Sequence, residues 1–132
     1  LNLTYFFITH DLSLVRNIAD RVFVMYLGSV VEHGEVNELY TNPQHPYTQA
    51  LLSSIPVVYE KEQEMLPVKL PIKGEIPSPS NIPEGCKFRT RCPFAQEICM
   101  QRPRLEKKRN GMFVNCHLTE EIQEKLKGDT VI

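Results

Sequence analysis

The sequence predicts an α/β fold that gives way to an irregular, cysteine-bearing extension, and three observations carry that prediction. Leu3 to Thr9 is an aromatic and β-branched run, apolar at nearly every position, as expected of a strand covered on both faces in a parallel sheet. Apolar residues at helical spacing alternate with further short β-rich runs as far as Pro56. Beyond a stretch studded with prolines, all four cysteines (Cys86, Cys92, Cys99 and Cys116) cluster toward the end of the chain. The expected organisation is 1–56, an α/β unit; 57–85, a proline-rich connector; and 86–132, the cysteine-bearing extension.

Each element has a local reason. After the first strand, Asp11 offers an N-cap, and Leu12, Val15, Ile18 and Ala19 repeat with helical spacing up to Asp20. Arg21 to Leu27 reads as a second strand, Gly28-Ser29 as a two-residue turn, and Val30 to His33 as a third strand broken by Gly34. Glu35 to Tyr40 can form a brief helix with Val36, Leu39 and Tyr40 on one side, ended by Pro43. Pro46 suits the first position of another helix, with Tyr47, Ala50, Leu51 and Ile55 as its apolar face. Pro67, Pro71, Pro77, Pro79 and Pro83 then predict an extended connector. Pro93 can open a short helix through Met100. The tail predicts a helix capped by Thr119, with acidic Glu120 and Glu121 at its start, Lys125 and Lys127 near its end, Ile122 and Leu126 as its stripe, and Gly128 as its stop.

Composition excludes several classes. An apolar content of 42% supports a core, yet no run reaches the ~18 apolar residues of a membrane span. A secretory leader is not expected either, because the first apolar stretch lacks a basic approach and a small-residue cleavage site. The formal net charge of -1 conceals a basic block. Between Cys86 and Arg109 lie Lys87, Arg89, Arg91, Arg102, Arg104, Lys107, Lys108 and Arg109, against only Glu97 and Glu106. Nucleic acid is an unsuitable partner for it: Phe88 and Phe94 are too few for a stacking platform, and no helix-turn-helix or zinc-finger spacing is present.

The cysteines follow the spacing C-x5-C-x6-C-x16-C. That matches neither a zinc ribbon nor the ferredoxin run, so spacing alone leaves zinc, a [4Fe–4S] cluster, disulfides or free thiols packed as small hydrophobes all open. Disulfides are disfavoured without an export signal. A basic block beside thiolates would offset their charge, and His117, next to Cys116, is a further candidate ligand.

His10 stands where the first strand ends and the capped helix begins, the rim at which open α/β sheets bind ligands. By position alone it is better read as a histidine that caps or lines a loop. The surrounding words sharpen that reading. "LNLTYFFITHDLSLVRNIAD" closely resembles the switch-histidine segment of ABC-transporter ATPases, and "RVFVMYLGSVVEHGEVNELYTNPQHPYTQALLSSIP" resembles the family's continuation of that segment. The Asn42-Pro43…His45-Pro46-Tyr47-Thr48 string resembles the oligopeptide and dipeptide importer branch, which includes some nickel importers. "GCKFRTRCPFAQEIC…NCH" resembles the C-terminal extension of that branch, some members of which carry a [4Fe–4S] centre.

This resemblance implies a C-terminal portion of a P-loop ABC ATPase domain followed by the extension. It implies that His10 contacts the ATP γ-phosphate as a catalytic residue, and that Cys86, Cys92, Cys99 and Cys116 ligate an iron–sulfur cluster, with Zn²⁺ as the alternative. It implies ATP with Mg²⁺ in the intact subunit, a second ATPase subunit, transmembrane permease subunits, an extracytoplasmic peptide-binding protein, and a peripheral place on the cytoplasmic face of the cell membrane. The 132 residues contain no G-x-x-x-x-G-K-[ST] loop, no Leu-Ser-Gly-Gly-Gln signature, no glutamine loop and no apolar strand ending in Asp-Glu. In the family these precede the histidine, so the chain by itself is expected neither to bind ATP tightly nor to hydrolyse it. The alternatives are a nickel-importer subunit and a non-enzymatic metal-binding or interaction module.

Overall fold

The computed structural model describes residues 3–54, 74–108 and 111–129. Among them a four-stranded sheet, entirely antiparallel, is flanked by short helices. The elements are α1 (Leu12–Ile18), β1 (Arg21–Tyr26), β2 (Ser29–Glu35), α2 (Val36–Thr41), α3 (Pro46–Ser53), β3 (Leu105–Lys107), β4 (Phe113–Asn115) and α4 (Thr119–Asp129), with a 3-10 turn over Glu97–Met100. The sheet order is β1-β2-β4-β3. Its third and fourth strands come from the cysteine-bearing part, so one sheet spans both ends of the sequence. No helix among the described residues is long and apolar enough to cross a membrane.

Three helices, α1, α2 and α3, start within a residue of where the sequence predicts. Asp11 caps α1 by accepting from the Leu14 N–H at 3.1 Å. Glu35 caps α2 through both carboxylate oxygens, to Asn37 and Glu38 N–H at 3.1 Å each. Pro46 is the first residue of α3, and the His45 Nδ1 accepts from Tyr47 N–H at 3.0 Å. In β1 the alternation is clear: Val24 and Tyr26 are buried while Phe23 and Met25 face outward.

Several expectations need correction. Leu3 to Thr9 is not a strand, and its residues are exposed, Ile8 to 91%. A strand exists only through partners, and none of the described strands pairs with this segment. The hairpin turn is Leu27-Gly28 rather than Gly28-Ser29, one residue earlier. Both central residues take positive φ, Leu27 at 47° and Gly28 at 80°, which is the two-residue turn whose twist matches its strands. Gly34 does not break β2; it pairs with Val22. A Cβ there would collide with the Met112 thioether, so glycine admits that side chain against the sheet. Pro93 opens no helix, only turns before the 3-10 segment. Thr119 is the first residue of α4 rather than its cap, and α4 runs through Gly128. The end of the Pro46 helix at Ile55-Pro56 and most of the connector, Pro67 and Pro71 included, lie outside the described residues; 74–85 holds turns and bends with no helix or strand.

The main core gathers Val24, Tyr26, Val31, Leu39, Leu52 and Val114 around Phe88. Phe88 meets the rings of Tyr26, Tyr47 and His45 at 5.2, 5.4 and 5.8 Å between centroids. One aromatic from the cysteine-bearing part therefore packs against β1 and α3. Burying it fully is worth about 1.5–3 kcal/mol, with further gain from the ring geometries.

Candidate functional site

His10 is exposed at a bend immediately before α1. The bend is set locally. The Asp11 N–H donates to the Thr9 hydroxyl at 3.0 Å, while the Asp11 carboxylate turns to the helix. Asp11 is thus occupied as a cap, as its place in the sequence indicates. The helix is anchored further on, where the Tyr40 hydroxyl donates to the Leu12 carbonyl and the Arg16 guanidinium lies 5.5 Å from the Tyr40 ring centroid. The imidazole thus projects from a short element held at its start and along its first turn. A solvent-facing ring there can donate to an anion brought against it.

The loop before α3 is held by a group the sequence does not advertise. Glu32, on β2, is fully buried, and its two carboxylate oxygens accept from the Gln44 and His45 N–H groups at 2.9 Å each. Burial nonetheless pushes its carboxyl up from 4.5 to about 7. His45 is buried as well, and desolvation holds its imidazole down from 6.5 to about 3, so it is neutral. Its ring also bonds to the Asn115 backbone, one residue before Cys116. The Pro43 carbonyl accepts from Gln49 at 2.9 Å and from Gln123 of α4 at 3.2 Å. The Asn42–Thr48 string therefore works as a junction: β2 holds it from one side, β4 and α4 from the other.

The structure brings the four cysteines together. Cys86, Cys92, Cys99 and Cys116 are free thiols lining one small cavity of ≈ 10 Å³, closed by Phe88, His45 and Ile122. Gly85 allows the approach, with φ 73°; a Cβ there would run into the Cys99 carbonyl and Met100. The Cys86 N–H donates to that same carbonyl at 2.9 Å. Backbone N–H groups point at sulfur: Phe94 to Cys92 at 3.4 Å, Gln96 to Cys99 at 3.5 Å, and Leu118 to Cys116 at 3.4 Å. Burial pushes Cys92 up to about 12 and Cys116 up to about 11, with neighbouring thiol charge adding to it, and raises Cys86 too. These are neutral thiols unless a cation joins them.

Whether this set suits a metal has two sides. Sulfur donors with amide N–H groups directed at them are the chemistry of a thiolate centre. As placed, however, no three His, Cys, Asp or Glu side chains among the described residues are grouped closely enough to hold an ion. The cavity has room for about one water-sized atom. His117 lies at its edge, with Nε2 2.7 Å from the Gln101 carbonyl. Three cations of the basic block are committed elsewhere. Lys87 donates to the Leu27 carbonyl and the Ser29 hydroxyl at 3.0 and 2.7 Å, Arg89 to the Glu84 carbonyl at 2.7 Å, and Arg91 stands over the Tyr26 ring at 5.9 Å. Arg89 is the cation that eases the Cys86 thiol toward ionisation.

Comparison with known proteins gives the chain's family. The family described as "Oligopeptide/dipeptide transporter, C-terminal region" matches residues 31–99, just over half of the chain. The oligopeptide transport ATP-binding protein AppF of Bacillus subtilis (strain 168) is 54% identical over 118 residues, covering 89% of this chain and 36% of the relative. The putative oligopeptide transport ATP-binding protein YkfD of the same organism is 51% identical over 126 residues, covering 95% of this chain and 38% of the relative. The oligopeptide transport ATP-binding protein OppF of Salmonella typhimurium is 50% identical over 107 residues, covering 80% of this chain and 32% of the relative. The chain spans about a third of the length of these curated relatives. It belongs to the oligopeptide/dipeptide transporter family of ABC ATP-binding proteins and carries that family's C-terminal region.

Proposed function

We propose that the chain is the C-terminal part of an ATP-binding subunit that couples ATP hydrolysis to import of oligopeptides or dipeptides, and that His10 is its catalytic contact to the γ-phosphate. The carrying observation is an exposed histidine just before an Asp11-capped helix, in a chain 54% identical to an oligopeptide transport ATP-binding protein. Phosphoryl transfer asks the protein to position water and stabilise charge on the γ-phosphoryl oxygens. His10 would donate one hydrogen bond there. The phosphate-cradling loop and the Mg²⁺ ligands would come from sequence not present in these 132 residues, which alone would not hydrolyse ATP. The subunit would work with a second ATPase subunit and membrane permease subunits, on the cytoplasmic face of the membrane, fed by an extracytoplasmic peptide-binding protein.

A chimera tests this. The chain replaces the matching segment of the Salmonella OppF protein, and peptide-stimulated ATPase is measured in the assembled transporter. The chimera should be active, and His10→Ala should lower its turnover by about 10²- to 10³-fold. An active chimera indifferent to His10→Ala would remove the catalytic assignment.

The four cysteines are proposed to hold an iron–sulfur cluster, with Zn²⁺ as the alternative. The convergence of the thiols and the N–H groups directed at three of them support this. A single Zn²⁺ would draw the sulfurs inward, whereas the eight-atom core of a cluster would need the turns to open around a cavity that now has room for about one water-sized atom. Either would make the sulfurs thiolates, and the cluster would supply a redox-capable or structural cross-link between the turns and the end of β4. Anaerobic purification with iron and sulfide analysis decides it: about four irons per chain are expected, and one zinc in a colourless protein overturns the cluster.

A further inference from the structure

A second cavity lies on the other side of Cys86 and Phe88. It measures ≈ 60 Å³ and is lined by Tyr26, Ser29, Lys87, Arg102 and Asn115 among others, with no carboxylate in its wall. One water needs ~10–15 Å³, so there is room for about four to six non-hydrogen atoms. Two polar atoms of its lining residues are buried with no hydrogen-bond partner: the Tyr26 hydroxyl, on a residue only 4% exposed, and the Asn115 side-chain oxygen. Buried polar groups are rarely left unmatched, so each points to something that the protein atoms do not supply. Two cations stand at the same place. Lys87 spends two of its three N–H donors on the Leu27 carbonyl and the Ser29 hydroxyl, leaving one. Arg102 is exposed, and among the described residues its guanidinium has no ion-pair or hydrogen-bond partner.

We infer that this cavity is a binding site for a small oxyanion of the inorganic phosphate class, gripped by Arg102, the third Lys87 donor and the Tyr26 hydroxyl. The Asn115 oxygen would accept from the hydroxyl of a protonated oxyanion. The room fits the five non-hydrogen atoms of phosphate, and a wall with two cations and no carboxylate favours negative charge. The site lies beside the cysteines and uses none of their sulfurs.

The test is calorimetric titration of the full chain with inorganic phosphate at constant ionic strength, against chloride and acetate, with two-dimensional NMR following the Asn115 side-chain amide and the Arg102 guanidinium. Saturable phosphate binding that moves both signals is expected. Tyr26→Phe deletes one oxygen and Arg102→Gln alters an exposed side chain, so both should fold. Each should raise the phosphate Kd by about tenfold or more. Saturation by acetate with an affinity equal to that for phosphate would overturn the phosphate assignment. Equal, non-saturating responses to phosphate and chloride would leave ordered water as the occupant and overturn the site, as would unchanged affinity in Arg102→Gln.

Discussion

Replacing Glu32 by glutamine should change how stability depends on pH more than it changes stability at any one pH. In the folded chain the Glu32 carboxyl is raised from 4.5 to about 7, chiefly by burial. Between those values the native state holds a proton that the unfolded state has lost. Its stabilising contribution is complete below 4.5 and is lost as pH rises through about 7. The span from 4.5 to about 7, at ~1.4 kcal/mol per pH unit, comes to about 3 kcal/mol. His45 acts in the opposite sense. Its imidazole is lowered from 6.5 to about 3, so its contribution is complete above 6.5 and is lost as pH falls toward 3. The two slopes oppose each other between 4.5 and 6.5, and the wild-type profile should be nearly flat there. Glu32→Gln leaves only the histidine limb, so stability should climb with pH up to 6.5 and then level. Between pH 5 and 8 the changes in the two proteins should differ by about 3 kcal/mol. Urea unfolding followed by circular dichroism, at pH steps and fixed ionic strength, measures this. Glutamine keeps one acceptor for two backbone N–H groups, so the whole profile should also drop by about 1–3 kcal/mol, which leaves the slope comparison intact. Parallel profiles for the two proteins would refute the reasoning.

Three further outcomes are expected from the packing. Phe88→Ala should cost about 3–5 kcal/mol and weaken the near-ultraviolet tyrosine signal, since Phe88 touches both Tyr26 and Tyr47; a loss below 1 kcal/mol would mean that the two parts of the chain do not share a core. Asp11→Ala should cost about 1 kcal/mol and speed hydrogen exchange at the Leu14 amide, with Asp11→Asn restoring most of it. Gly85→Ala should destabilise by at least about 1–2 kcal/mol, because its φ of 73° disfavours a Cβ and the added atom meets the Cys99 carbonyl; native-like thiol accessibility to an alkylating reagent at all four cysteines would contradict this.

The helix starts and the hairpin were legible because their causes are local. Asp11, Glu35 and Pro46 act within one turn of themselves, and the alternation of Val22, Val24 and Tyr26 comes from the pleat. The shift of the turn to Leu27-Gly28 was not legible. It needed a leucine at φ 47°, which the cross-strand register imposes and local preference resists. The three-residue strands Leu105–Lys107 and Phe113–Asn115 carry too few residues to show a period, and they exist as strands by pairing with β2 and with each other.

The candidate sites divide along the same line. His10 could be found from the words around it, and the structure adds how Asp11 and Tyr40 hold the helix behind it. The four cysteines could be counted but not arranged; sequence spacing does not say which thiols converge. Glu32 looked like an ordinary strand glutamate, and only the fold shows it buried against the Gln44 and His45 amides.

By itself, then, the sequence determined the Asp11 cap, the Pro46 helix start, the strand alternation and the family to which the chain belongs. Tertiary structure decided the fate of Leu3 to Thr9, the join of the cysteine-bearing part to the first hairpin through β4, and the meeting of the thiols around one cavity. The physical reason is range. A cap or a turn is settled among residues a few positions apart, whereas a strand's partner, a carboxylate's burial and a cluster's geometry depend on which distant segments the core draws together.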